Sequence, residues 1–89
     1  MSQVIKKKAW PELFEAVVSG GKTFDLRLAD FAVQPGDTLK LREWDPETKA
    51  YTGREVSKTV GYVSKVKDLE PMYDQADIDK YGFQVISLK

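Results

Sequence analysis

Gly20-Gly21-Lys22-Thr23-Phe24-Asp25-Leu26-Arg27-Leu28 follows directly on a short apolar helix, and its reading decides the fold. Gly20 ends the helix because glycine enters left-handed backbone without steric cost. Beyond it the pattern has period two: Phe24, Leu26 and Leu28 point one way, Thr23, Asp25 and Arg27 the other. Read as a strand, the segment sends three apolar side chains into a core. It also brings backbone N–H groups, an ammonium, a carboxylate and a guanidinium within a few residues of one another. That set suits an anionic, hydrogen-bond-rich ligand such as a nucleotide.

Upstream, residues 3–9 read as a first strand opened by Val4 and Ile5. Trp10 to Ser19 reads as a helix. Pro11 suits its first position, Glu12 and Glu15 favour the positive end of the helix dipole, and Leu13/Val17 and Phe14/Val18 are i,i+4 pairs on one apolar face. Downstream, Gln34-Pro35-Gly36-Asp37 is a turn. Thr38 to Trp44 is a strand with Leu39 and Leu41 toward the core and Lys40, Arg42 and Trp44 on the other face. Asp45 to Ala50 is a polar hairpin loop, and Tyr51 opens the return strand opposite Trp44. Residues 55–65 read as a long valine-rich strand with a bend at Gly61. Pro71 breaks the next stretch, Gln75 to Tyr81 allows a short second helix ended by Gly82, and residues 83–88 read as a last strand. Five or six strands with one early helix predict a small α+β domain, a mostly antiparallel β-barrel spanning residues 1–89.

Composition narrows the chemistry. The 89 residues contain no cysteine and no histidine, which excludes disulfides, thiolate catalysis and Ser-His-Asp chemistry, and leaves no expected metal site or cofactor. Fourteen basic residues balance fourteen acidic ones, so the chain lacks the whole-protein positive field usual in nucleic-acid binders. The charges are unevenly spread: residues 1–29 hold five cations against three acids, and residues 66–82 hold two against five. Lys6-Lys7-Lys8 is followed by no secretory apolar run, and no segment has the ~20 apolar residues of a membrane helix. A cytoplasmic protein, without membrane partners, is expected.

The Gly-Gly-Lys-Thr-Phe-Asp-Leu-Arg stretch resembles the Gly-x-Lys-x-x-Glu-x-Arg motif of the ASCH domain family, part of the PUA-like barrel superfamily, with Asp25 in the glutamate place. The chain looks most like small bacterial and phage-associated ASCH-like proteins of unknown function. The shared stretches here are Trp10-Pro11-Glu12-Leu13-Phe14-Glu15-Ala16, Gly36-Asp37, Leu41-Arg42-Glu43-Trp44-Asp45-Pro46-Glu47-Thr48 and Tyr51-Thr52-Gly53-Arg54-Glu55-Val56. The likeness covers roughly residues 5–63. It departs near Ile5, where those proteins often carry histidine. It implies a PUA-like barrel with an RNA- or nucleotide-binding cleft at its mouth beside the helix. Some ASCH relatives hydrolyse the amide of an acylated cytidine with the motif lysine, a threonine at the acidic place and a later glutamate. Here the lysine is Lys22 and the threonine place is Asp25.

Three functions follow as expectations. The first is a monomeric RNA- or nucleotide-binding module. It would use Lys22, Asp25, Arg27 and the amides of Gly20 and Gly21, with Trp10, Trp44 or Tyr51 stacking on bases and Arg42 tracking phosphates. The second is an amidohydrolase of acylated cytidine with Lys22 and Asp25 as catalytic candidates. The third is a small protein-interaction domain. Each residue also has a purely structural role open to it: Lys22 as a cap on helix carbonyls, Arg27 as a partner of Asp25 or Glu43, and the aromatics as packing.

Overall fold

A computed structural model describes residues 2–88. Strand β1 (Val4–Ala9) runs through Trp10 into helix α1 (Pro11–Val18), and an irregular connection leads to β2 (Thr38–Asp45). A hairpin returns the chain as β3 (Ala50–Thr59). Beyond it come two short helices, α2 (Val66–Leu69) and α3 (Gln75–Tyr81), with a 3-10 turn at Glu70–Met72 between them. The strand order is β1-β2-β3, with β1 parallel to β2 and β3 antiparallel to it.

This open, mixed, three-stranded sheet with three short helices replaces the expected antiparallel barrel of five or six strands. Two segments account for the difference. Residues 22–28 and 83–88 form no strand, and Leu26, Leu28, Ile86 and Leu88 stay exposed at 64, 80, 69 and 86%. Alternation assigns sides to a strand but supplies no neighbour to pair with its backbone. The third cause is connectivity. The crossover through α1 returns the chain to its starting end, so β1 and β2 pair in parallel. Residues 60–65 also lie outside the sheet, because β3 ends at Thr59. Its irregularity falls at Gly53 (φ +97°), within the register shift between Arg42 and Trp44, and not at Gly61.

The helix forms where the sequence put it. Pro11 occupies the first turn, and Gly20 (φ +84°) turns the chain away from its C-terminus. Phe14 and Val17 face the sheet and bury against Ala9 and Leu41, with Leu39 and Val56 packed alongside. Leu13 and Val18 of the expected face remain half out, at 52 and 41%. A single sheet covers one stripe of a helix, and here that stripe is the i,i+3 pair.

Asp37 ties the strands' ends together. Its carboxylate accepts hydrogen bonds from the Gln34 amide (2.9 Å), the Gln3 amide (3.1 Å) and the Gln3 side chain (3.2 Å). Its carbonyl accepts from the Val60 amide at 2.8 Å, and the Val60 carbonyl accepts from Gly36 at 2.8 Å. The entrance to β1, the turn before β2 and the exit of β3 thus meet on one buried acid. Among the described residues, no helix is long and apolar enough to cross a membrane.

Candidate functional site

A cleft of about 220 Å³ opens between α1, the end of β1 and residues 22–27. Trp10, Lys22, Asp25 and Arg27 line it, with apolar walls from Leu13 and Leu41. The segment that fails to become a strand therefore still carries its polar set to one place.

Within the cleft the charges are partly spent on one another. Asp25 pairs with Arg27 through Nε, as their i,i+2 spacing allows. Arg27 Nη2 donates to the Lys8 carbonyl at 2.9 Å, which pins the loop to β1. Lys22 holds its ammonium 5.2 Å from the centre of the Phe24 ring, and among the described residues no ion pair joins it to an acid. The cleft thus keeps one uncompensated positive charge, at Lys22.

The glycine turn lies beside this cleft rather than in its lining. The Gly20 amide donates to the Val17 carbonyl (3.1 Å) and the Lys22 amide to the Ala16 carbonyl (2.9 Å). These donors close the helix and are not aimed at a ligand. Gly21 makes only a long contact to Ser19 Oγ, at 3.5 Å.

Arg42, Trp44 and Tyr51 belong to the opposite face of the sheet from α1. Arg42 bonds Glu55 Oε2 at 3.1 Å and lies 4.0 Å from the Tyr51 ring centre, and Trp44 is in register with Tyr51. Glu43 pairs with Arg54 (3.6 Å) and accepts from Thr52 Oγ1 at 2.6 Å, so it does not meet Arg27. Arg54 also binds Glu15 at 3.1 Å. Both ends of this arginine are thus taken up in fixing α1 to the hairpin. A second, shallower hollow of about 570 Å³ lies there, but Glu12, Glu15 and Glu43 line it against one arginine, which disfavours an anion.

Lys8 was not singled out by its spacing. Its carbonyl holds Arg27, while its ammonium lies 4.4 Å from the Trp44 ring centre on the far face. Only the parallel register of β1 and β2 reveals this, and register is a long-range property. Among the described residues, no cluster of three or more acids is arranged to hold a metal ion.

The family described as "Domain of unknown function (DUF3850)" matches residues 5–76. The chain belongs to that family. No curated protein matches it. The matched residues include most of the sheet, α1, the cleft and part of the region beyond β3.

Proposed function

We propose that this chain is an RNA- or nucleotide-binding module that takes one nucleotide unit into the cleft beside α1. The carrying observation is the convergence of Trp10, Lys22 and the Asp25–Arg27 pair on one hollow. At about 220 Å³ it falls below the ~300–1,000 Å³ of typical small-molecule pockets. It therefore suits a base or a phosphate-bearing fragment better than a dinucleotide cofactor. Trp10, 56% exposed, offers a stacking surface. Lys22 offers an ammonium to phosphate, and the Asp25–Arg27 pair sets an acceptor beside a donor for a base edge. The ASCH resemblance supports the same ligand class.

Binding is favoured over amide hydrolysis because Asp25 is engaged by Arg27 and Lys22 lies against an aromatic ring. A general acid–base pair must share a proton path. The protein-interaction alternative draws on a different observation, the exposed Tyr62, Met72, Tyr81 and Ile86 beyond the sheet.

Titration of the ¹⁵N-labelled protein with millimolar CMP, UMP, AMP and GMP tests the cleft directly. Shifts are expected at residues 8–10, 13–17 and 22–27. Lys22→Ala should weaken binding about tenfold, as for a lost charge-assisted contact, with unchanged thermal stability. Absence of shifts with all four nucleotides, or equal affinity in Lys22→Ala, overturns the reading.

A further inference from the structure

The sheet face turned away from α1 carries a pattern that folding alone does not favour. Alternation and register put Lys6 beside Lys40 and Lys8 beside Arg42, on adjacent parallel strands. Like charges directly opposite one another destabilise a sheet. Only one acid, Glu55, faces them from β3, and it pairs with Arg42. The next row holds Trp44 beside Tyr51. Each ring already has a cation over it, Lys8 on Trp44 at 4.4 Å and Arg42 on Tyr51 at 4.0 Å.

We infer that this face is a binding surface for single-stranded nucleic acid, separate from the cleft. Two rows of cations followed by a row of aromatic rings match a ligand with a charged backbone and detachable flat bases. Successive rows on one face of a sheet lie about 7 Å apart, so the surface covers a few nucleotides. The choice of occupant rests on charge complementarity. A surplus of three positive charges on one face, within a chain of zero net charge, calls for an anionic partner. The two rings select one whose flat groups can stack. A duplex keeps its bases stacked inside and could use the cations alone. When a base stacks on Trp44 it takes the position now held by the Lys8 ammonium, which is then released toward a phosphate. The cation over the ring thus marks where the base goes.

The inference shares with the cleft reading only the class of ligand; its evidence is the sheet's own. Fluorescence anisotropy with labelled oligouridine, and with oligothymidine of the same length, is the test. The intact chain should bind both strands at low salt and a duplex of equal length more weakly. Lys6→Gln combined with Lys40→Gln should weaken binding about tenfold. It should also flatten the slope of log affinity against log salt by about 1.4, the share of two phosphate contacts on a single strand. Its melting temperature should hold or rise, because a repulsive pair is gone. In a Trp10→Phe background, Trp44 is the remaining tryptophan, and its fluorescence should be quenched by oligouridine. The same double-lysine variant should keep its CMP affinity in the cleft within about twofold, because Lys6 and Lys40 lie on the other face of the sheet. The inference falls if the chain binds neither strand at low salt, or binds them equally well in the double-lysine variant. It falls alone, leaving the cleft reading intact, if Lys22→Ala abolishes oligouridine binding and the double variant does not. Loss of nucleotide shifts with oligouridine binding retained leaves the face standing and removes the cleft.

Discussion

Residues 2–60 and residues 61–88 contain similar kinds of apolar side chain, but only the first region builds a buried core from some of them, its Leu26 and Leu28 staying exposed. In the first region Phe14 and Leu41 are 1 and 2% exposed, locked between one helix and one sheet. In the second, Tyr62, Tyr81 and Leu88 are 77, 74 and 86% exposed, and α2 and α3 bury no residue. The radius of gyration, 14.9 Å, exceeds the about 12 Å of a compact domain of this length. The difference teaches that apolar content does not make a core. Burial needs a second layer. The βαβ arrangement supplies one for α1, whereas the helices beyond β3 are too short to supply one for each other. Free energy of folding should therefore reside almost wholly in the first region, and local opening should cost little in the second.

The sharpest way to break this comparison is to empty the core. Phe14→Ala deletes the largest fully buried side chain, and such truncations cost about 3–5 kcal/mol. A domain of this size holds on the order of 4–13 kcal/mol in all, so the variant should be largely unfolded or close to it in urea titrations. A cost under about 1 kcal/mol would mean that stability resides elsewhere, and the contrast between the regions would be lost.

Asp37→Asn sharpens the comparison through pH. The Gln34 amide is the largest influence on the Asp37 carboxyl and holds it below its ordinary 3.8; burial opposes this, and the Gln3 side chain and amide add to the lowering. The folded group therefore has the lower pKa. As pH falls, the unfolded chain takes up the proton first, so this contribution is complete above about pH 5 and is lost as pH drops through 3.8 toward the folded value. The variant keeps the shape of the side chain but replaces one acceptor oxygen with a donor, which faces amides that also donate. At neutral pH its melting temperature should fall clearly below that of the parent. The gap should narrow progressively in acid. A gap that stays constant with pH would show that the carboxylate's charge does not hold the three strand ends together.

How much of this was legible in the sequence follows the same division. Pro11 with Gly20, the Pro35-Gly36 turn and the hairpin between Trp44 and Tyr51 are local signals, and β1, α1, β2 and the hairpin form where those signals put them. The Gln75–Tyr81 helix ending at Gly82 is local as well. The barrel was not legible, because Phe24, Leu26 and Leu28 alternate correctly yet find no strand to pair with. The cleft shows the reverse case. Its polar residues, Lys22, Asp25 and Arg27, were readable by spacing, and they converge even though the strand proposed to carry them does not form. Arg42, Trp44 and Tyr51 were readable as ligand candidates, and β2's alternation already set Arg42 and Trp44 on the face away from the core; what was not legible is that the cleft opens on the α1 side, away from them. Lys8 was readable only as part of the Lys6-Lys7-Lys8 run; its place beside Arg42 needed the parallel register.

The smallest expected effect concerns an aromatic pair beyond the sheet. Tyr73 and Phe83 meet edge to face, with ring centres 5.7 Å apart and planes at 79°. The pair brings the two ends of α3 toward each other, since one ring precedes the helix and the other follows Gly82. Both residues remain about half exposed, so the contact closes a local loop without burying much surface. An aromatic pair of this kind contributes about 0.5–1.5 kcal/mol beyond its area, and here that contribution is spent on α3 alone. Phe83→Ala should therefore shift the Tyr73 ring resonances and speed amide exchange at residues 75–81, while the urea midpoint for unfolding of the sheet stays put. The reason is linkage: a contact confined to a segment that opens separately from the core affects the opening of that segment only. If the midpoint instead moved with the loss of Phe83, the helices beyond β3 would be packed onto the sheet in the folded ensemble, and the two regions would form a single cooperative unit.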